Sequence, residues 1–297
     1  MSRRSIFAVR RLIGPPYRAA RDVADWVAVH GYYRPRYRWP HPVLVVNGAP
    51  RSGTQLLVQL LANIPGYRYR LPTDPDRCTE DHHVCDAVFD RLPWDRYTVL
   101  KLHATASQAN LAVLERYRLP AVVMYRDFRD ECISRYFVVL NDSRHRHHRY
   151  YNSVPKPVGL AHCIEVTLEE FVPWVREWLP IVQSCPEQFL PVRFEELRPD
   201  PRAAFERVLK FYGFQMRERD IARIVAKTAA RTRFDLKANL RDGRPTVRKG
   251  IVGDWKNHFT PEHVERFKEG CGRFLIELGY ERDLQWGAQS AEVQSVA

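Results

Sequence analysis

No stretch of this 297-residue chain approaches the roughly 18 consecutive apolar residues that crossing a bilayer requires. That argues against a lumenal protein anchored by its own helix. A secretory leader pattern is also missing: the Arg-rich start offers only Ile6 to Val9 as an apolar run before Arg10 and Arg11. Cysteine is sparse and scattered, at positions 78, 85, 132, 163, 185 and 271, so the expectation is a reduced, cytoplasmic setting. No internal repeat is visible. Acidic residues are outnumbered, 35 against 47 basic ones, and the net charge of +12 suggests an anionic ligand or surface. Much of that excess lies in residues 1–41, with nine arginines against two aspartates. The expected organisation is a basic N-terminal extension at 1–41, one domain at 42–281 and a C-terminal tail at 282–297. Within the extension, Ala19 to Val29 reads as a short amphipathic helix, compatible with peripheral contact at an anionic membrane or with packing on the domain.

What is present is organised around Val43 to Leu57, VLVVNGAPRSGTQLL. A β-branched run of the kind a doubly buried strand needs leads into a small-residue loop, then into a helix whose stripe is Leu56, Leu57, Leu60, Leu61 and Ile64. Unpaired amides and the helix dipole then point at one place, a geometry that binds anions. The spacing resembles a Walker A loop, but Thr54 stands in the lysine place and Gln55 in the hydroxyl place. The clamp on β,γ-phosphates and the magnesium ligand are both missing, and Arg51 supplies a cation inside the loop instead.

Downstream, Tyr97 to Ala104 alternates like a strand, which puts Val99, Lys101 and His103 on one face. Thr105 to Arg118 reads as a helix, and Ala121 to Tyr125 as a strand that delivers Arg126 at its end. Ile133 to Leu140 reads as a helix, Asn141 to Pro157 as a polar loop, and Leu168 to Val182 as a helix. Phe189 to Phe194 is a fourth strand interrupted by Pro191. Asp200-Pro201 and Thr260-Pro261 open helices that Gly213 and Gly279 close. This alternation predicts an α/β fold: a P-loop NTPase-like parallel sheet flanked by helices, in a single domain. Ligands in such sheets bind outside the carboxyl ends of the strands, where the loop at Gly48 to Gly53, His103 and Arg126 would converge.

Three separated segments, GAPRSGTQL at 48–56, YRDFRDECIS at 125–134 and RKGIVGDWKNHFT at 248–260, together resemble the cytosolic-type sulfotransferases. LKLHA at 100–104 and VRFEELRPDP at 192–201 extend the likeness over roughly residues 42–281. The resemblance implies transfer of a sulfuryl group from 3'-phosphoadenosine 5'-phosphosulfate (PAPS) to an acceptor hydroxyl or amine, leaving PAP, with no metal expected. It implies His103 as general base, Lys101 as the cation at the bridging oxygen and Arg51, in place of the family's lysine, near the leaving phosphate. Arg51, Ser52, Gly53, Thr54 and Gln55 would cradle the 5'-phosphosulfate. Arg126 and Ser134, with Arg248, Lys249 and Gly250, would hold the 3'-phosphate. Phe194, Thr232 and Phe234 would contact the adenine, while Leu56 replaces a usual tryptophan there.

Two other clusters compete for attention. Cys78, His82, His83 and Cys85 carry ligand-type side chains, but their spacing suits no common zinc module, and a mobile acceptor loop is the preferred reading. RHRHHR at 144–149 lacks an aromatic stacking platform, so a solvated face or a site for an acidic acceptor is preferred to nucleic acid. Lys268 and Glu277 fit the ends of the family's dimer motif, although Gly272-Arg273 replaces its centre, so a homodimer is open. The acceptor, a small molecule or carbohydrate, is not specified by any motif. A P-loop kinase and a PAP-binding scaffold without turnover are the competing functions.

Overall fold

Val43 to Val46 are wholly buried, and this run is the middle strand of the sheet in a computed structural model of the chain. The structure describes residues 39–70, 82–92, 94, 97–238 and 249–287 and the isolated positions 20, 23, 24, 26, 27 and 31, with the backbone alone for 233–238. In chain order the elements are β1 (Val43–Gly48), α1 (Thr54–Ala62), β2 (Arg68–Arg70), α2 (Asp86–Asp90), β3 (Thr98–Leu102), α3 (Gln108–Arg116) and β4 (Ala121–Tyr125). There follow α4 (Phe128–Asn141), α5 (His148–Ser153), α6 (Lys156–Val166), α7 (Val172–Ser184), β5 (Phe189–Arg193), α8 (Phe194–Leu197), α9 (Pro201–Phe211), α10 (Glu218–Ala238) and α11 (Pro261–Glu277).

All pairings are parallel, in the order β2-β3-β1-β4-β5. Register sets Val46 beside Lys101 and Gly48 beside Met124, so the ends of β1, β3 and β4 lie together. Alternation divides the strand side chains between two core layers. Val43, Val45, Leu100 and Leu102 pack with Phe128, Ile133 and Trp178; Leu44, Val46 and Val99 pack with Leu57, Phe205 and Tyr212. Each buried aliphatic side chain contributes about 1.5–3 kcal/mol, which makes a register slip of one residue prohibitive. This is the α/β sheet flanked by helices that the sequence predicts.

Several expectations need correction. Helix α4 begins at Phe128 rather than Ile133, because the Asp127 side chain caps it by accepting from the Arg129 amide at 3.0 Å. The segment 141–157 holds a helix, α5, where a loop was expected, and α6 runs through a π-helical turn at Thr167–Phe171 into α7. Strand β2 and the 21-residue α10 had no counterpart in the sequence reading. Pro191 sits within β5, an edge strand, where a missing donor is tolerated. Cys85 is disulfide-bonded, which departs from the expectation of six reduced thiols; Cys132, Cys163, Cys185 and Cys271 are free, and Cys78 lies outside the described residues. Of the expected helix at 19–29, positions 20, 23, 24, 26 and 27 are described and helical, and the remainder lies outside the described residues. Among the described residues no helix is long and apolar enough to cross a membrane, and no group of three or more His, Cys, Asp or Glu side chains could hold a metal.

Candidate active site

The β1–α1 loop closes on itself before it faces anything else. Ser52 Oγ donates to the Ala49 carbonyl at 2.7 Å, and the Ala49 amide donates to the Met124 carbonyl at 3.1 Å. Gly48 and Gly53 are required there. A Cβ on Gly48 would stand 2.9 Å from the Met124 carbonyl oxygen, and Gly53 has φ +86°, with the Phe194 ring where its Cβ would go. No side chain caps α1, so its first amides are directed at the loop.

A cavity of about 250 Å³ opens over this helix end, and most of the expected site residues line it. Arg51, Gly53, Thr54 and Gln55 come from the loop and α1; Lys101 and His103 from the end of β3; Arg126 and Ser134 from β4 and α4; and Phe194, Thr232, Lys249 and Gly250 from later segments. Ser52 is not on the wall, since its hydroxyl is engaged within the loop. Arg248 and the Phe234 side chain lie outside the described residues.

His103 is oriented by the backbone. Its Nδ1–H donates to the Gly48 carbonyl at 2.6 Å, which leaves Nε2 as the unprotonated nitrogen. Burial, then the neighbouring Lys101, push the imidazole down to about 3, against the pull of the Gly48 bond. It is neutral throughout the physiological range, as a base must be. Arg51 adopts φ +71°, and its Nε and Nη2 donate to Ser134 Oγ at 3.2 and 3.1 Å. Burial and the nearby Arg126 push its guanidinium down to about 10, still cationic.

At the other end, Arg126 stacks on the Phe194 ring, 4.2 Å from its centroid, and donates to the Ile251 carbonyl at 2.9 Å. It also pairs with Asp130 at 3.4 Å, while Asp127 pairs with Arg129 instead. Asp130 accepts from the amides of Gly253 and Trp255 at 2.7 and 3.0 Å, so α4 holds the 249–257 segment against the cavity. Lys249 pairs with Asp254 at 3.2 Å.

Two buried donor atoms on the cavity wall have no hydrogen-bond partner: Gln55 Nε2 and Arg126 Nε. Buried donors without acceptors are costly, and two in one cavity mark the place of an anionic ligand. The residues therefore fit a nucleotide that carries phosphates.

Sequence reading missed Gln59, Asp130, Arg198 and Ile251, all on the wall. Gln59 had a signal, since it stands one helical turn beyond Gln55. Arg198 donates from Nε to the Gly250 carbonyl at 2.7 Å, and only the short helix α8 brings it there.

Residues 41–279 match the family profile described as a sulfotransferase domain. The chain belongs to the sulfotransferase family. PAPS is that family's sulfuryl donor, and this chain is a PAPS-dependent sulfotransferase. Among relatives, Sulfotransferase 1E1 of Rattus norvegicus is 25% identical, over 80% of this chain and 84% of the relative. The 3-beta-hydroxysteroid sulfotransferase of Cavia porcellus is 28% identical over 34% of this chain, and the match spans less than half, 42%, of the relative's own length. A mouse sulfotransferase, SULT7A1, solved in complex with PAP, shares the fold with a TM-score of 0.63, 19% identity and coverage of 83% of this chain and 88% of its own. Retinol dehydratase, solved with androsterone and the inactive cofactor PAP, does so with a TM-score of 0.57, 17% identity and coverage of 79% and 81%.

Proposed function

We propose that this sulfotransferase uses His103 to activate an acceptor hydroxyl or amine for attack on the sulfur of PAPS. The observation that carries this reading is the His103 Nδ1 bond to the Gly48 carbonyl, which reserves Nε2 for the acceptor's proton. PAPS supplies a sulfuryl group on a good leaving group. The acceptor proton passes to Nε2, the oxygen–sulfur or nitrogen–sulfur bond forms, and the sulfur–oxygen bond to the 5'-phosphate breaks with its electron pair left on PAP. Lys101 and Arg51 stabilise the charge that grows on the departing oxygen. Arg51 does so as a fixed charge, because a guanidinium is a poor proton donor.

Gln55 and Arg126 supply the buried donors that fit the 5'- and 3'-phosphates respectively. Ser134 and the 249–250 segment complete the second site, and Phe194, Leu56 and Thr232 enclose the base. The acceptor is best sought among small hydroxylated molecules, the class named in the hydroxysteroid relative. Incubation with radiolabelled PAPS and an acceptor panel tests the assignment: label should transfer with wild type and fall sharply with His103→Ala. Undiminished transfer by the variant would remove His103 as base, and tight PAP binding without transfer to any acceptor would leave a scaffold.

A cytoplasmic location and peripheral membrane contact through residues 1–41 are carried by the sequence alone, as is a homodimer through α11. In α11, Lys268 is engaged within the chain, by Glu265 at 2.7 Å and over the Trp286 ring, whereas Glu277 is exposed.

A further inference from the structure

Glu131 has no part in the chemistry above, yet it is buried behind the cavity wall, between the wall residues Asp130 and Ser134 on α4. Its side chain is wholly buried, and neither carboxyl oxygen has a hydrogen-bond partner. Helical spacing on α4 sets it on one face with Ser134 and Arg135, three and four residues on, and Ser134 receives both bonds from Arg51. Four charged groups act on it: Arg126 from the end of β4, Arg135 from the next turn of α4, Arg51 from the phosphate loop and Glu195 from α8. Three guanidiniums thus act on one buried acid beside the cavity where phosphates are expected. An ionised carboxylate there cancels part of the field that attracts the nucleotide, and a neutral one leaves it intact.

We infer that Glu131 is a proton-carrying positioning residue: its carboxylate balances Arg51 and Arg126 before binding, and it takes a proton from solvent when the nucleotide's phosphates engage those arginines. This rests on the assignment of the cavity as the PAP site. Burial already pushes the Glu131 carboxyl well above the usual range, with Arg126, Arg135 and Arg51 opposing and Glu195 adding to the rise. Phosphates nearby raise it further. The bound state then holds more protons than the free state, so affinity falls as pH rises through the window between the two values.

Calorimetric titration with PAP, repeated between pH 7.5 and 9 in buffers of different ionisation enthalpy, tests this. His103 stays neutral in that range, and a phosphate monoester, whose second ionisation is near about 6, is already ionised. Wild type should take up as much as one proton per PAP, with Kd weakening by up to about tenfold per pH unit. Glu131→Gln, which mimics the protonated acid, should bind PAP with no such uptake and a flat Kd. Equal uptake in both proteins, or none in wild type, overturns the inference and leaves the nucleotide site standing. A folded wild-type protein that does not bind PAP overturns the site assignment itself. Should the variant fail to fold, the wild-type titration alone decides, since zero uptake contradicts the inference.

Discussion

At one end of the cavity, Gly48, Arg51, Gln55, Lys101 and His103 are set by a tight loop, a helix start and the pairing of two adjacent strands. At the other, Arg126 and Asp130 reach partners 123 to 125 residues away, at Ile251, Gly253 and Trp255. The chemical end, which also cradles the 5'-phosphosulfate, depends on one loop and adjacent strands, and the 3'-phosphate end on distant closure. Loss of His103 at the first should alter rate with binding retained, and damage to the second should alter nucleotide affinity.

The largest effect expected is at the chemical end. His103→Ala should lower kcat by about 10²- to 10⁴-fold while PAP affinity is retained, checked by pairing turnover with calorimetry. A collapse of PAP affinity of similar size would erase the distinction between the ends. Behind the distant closure, Arg129 is almost wholly buried, bonded to Asp127 and Glu281 and set against the mutually perpendicular rings of Trp255 and Trp286. Arg129→Ala leaves the buried Asp127 carboxylate uncompensated and should cost about 3–5 kcal/mol of stability, read from chemical denaturation.

Asp130→Asn keeps the shape but turns an amide group toward the Gly253 or Trp255 N–H. It should weaken PAP binding by about 10- to 100-fold, since an unsatisfied buried donor costs about 1–3 kcal/mol. Gly250 has φ +61°, and a Cβ there would lie 3.3 Å from Arg198 Nε. Gly250→Ala should cost about 1–2 kcal/mol, a roughly tenfold loss in PAP affinity, with kcat at saturation little changed. Smallest of all is the response to acid. His103 is neutral above about 3, so its activity as a base is lost only as pH falls through that value. The kcat at saturating PAPS should not decline between pH 8 and 5, and an acid limb near 6.5 would place the base in an ordinary environment.

Much of the chemical end was legible in the chain. Alternation in YTVLKLHA puts Lys101 and His103 on one face, and Gly48 and Gly53 mark the loop. The distant end was less so, for a reason visible in α4. Periodicity analysis assumes that charged side chains face water, and Arg129, Asp130 and Glu131 are all buried. Three consecutive charged residues therefore hide the first turn of the helix, and the apolar pattern starts only at Ile133. Arg198 was overlooked similarly, as one cation in a polar stretch until α8 carried it to Gly250.

Residue order alone determined the anion-binding loop, the parallel α/β sheet and the absence of a Walker lysine, because each follows from short-range sterics and side-chain alternation. The tertiary structure decided which nitrogen of His103 is left for the acceptor and which arginine meets which acid. It also decided that Glu131 is held among guanidiniums away from water. Those outcomes depend on contacts between segments far apart in the chain, and on burial, which no local pattern encodes.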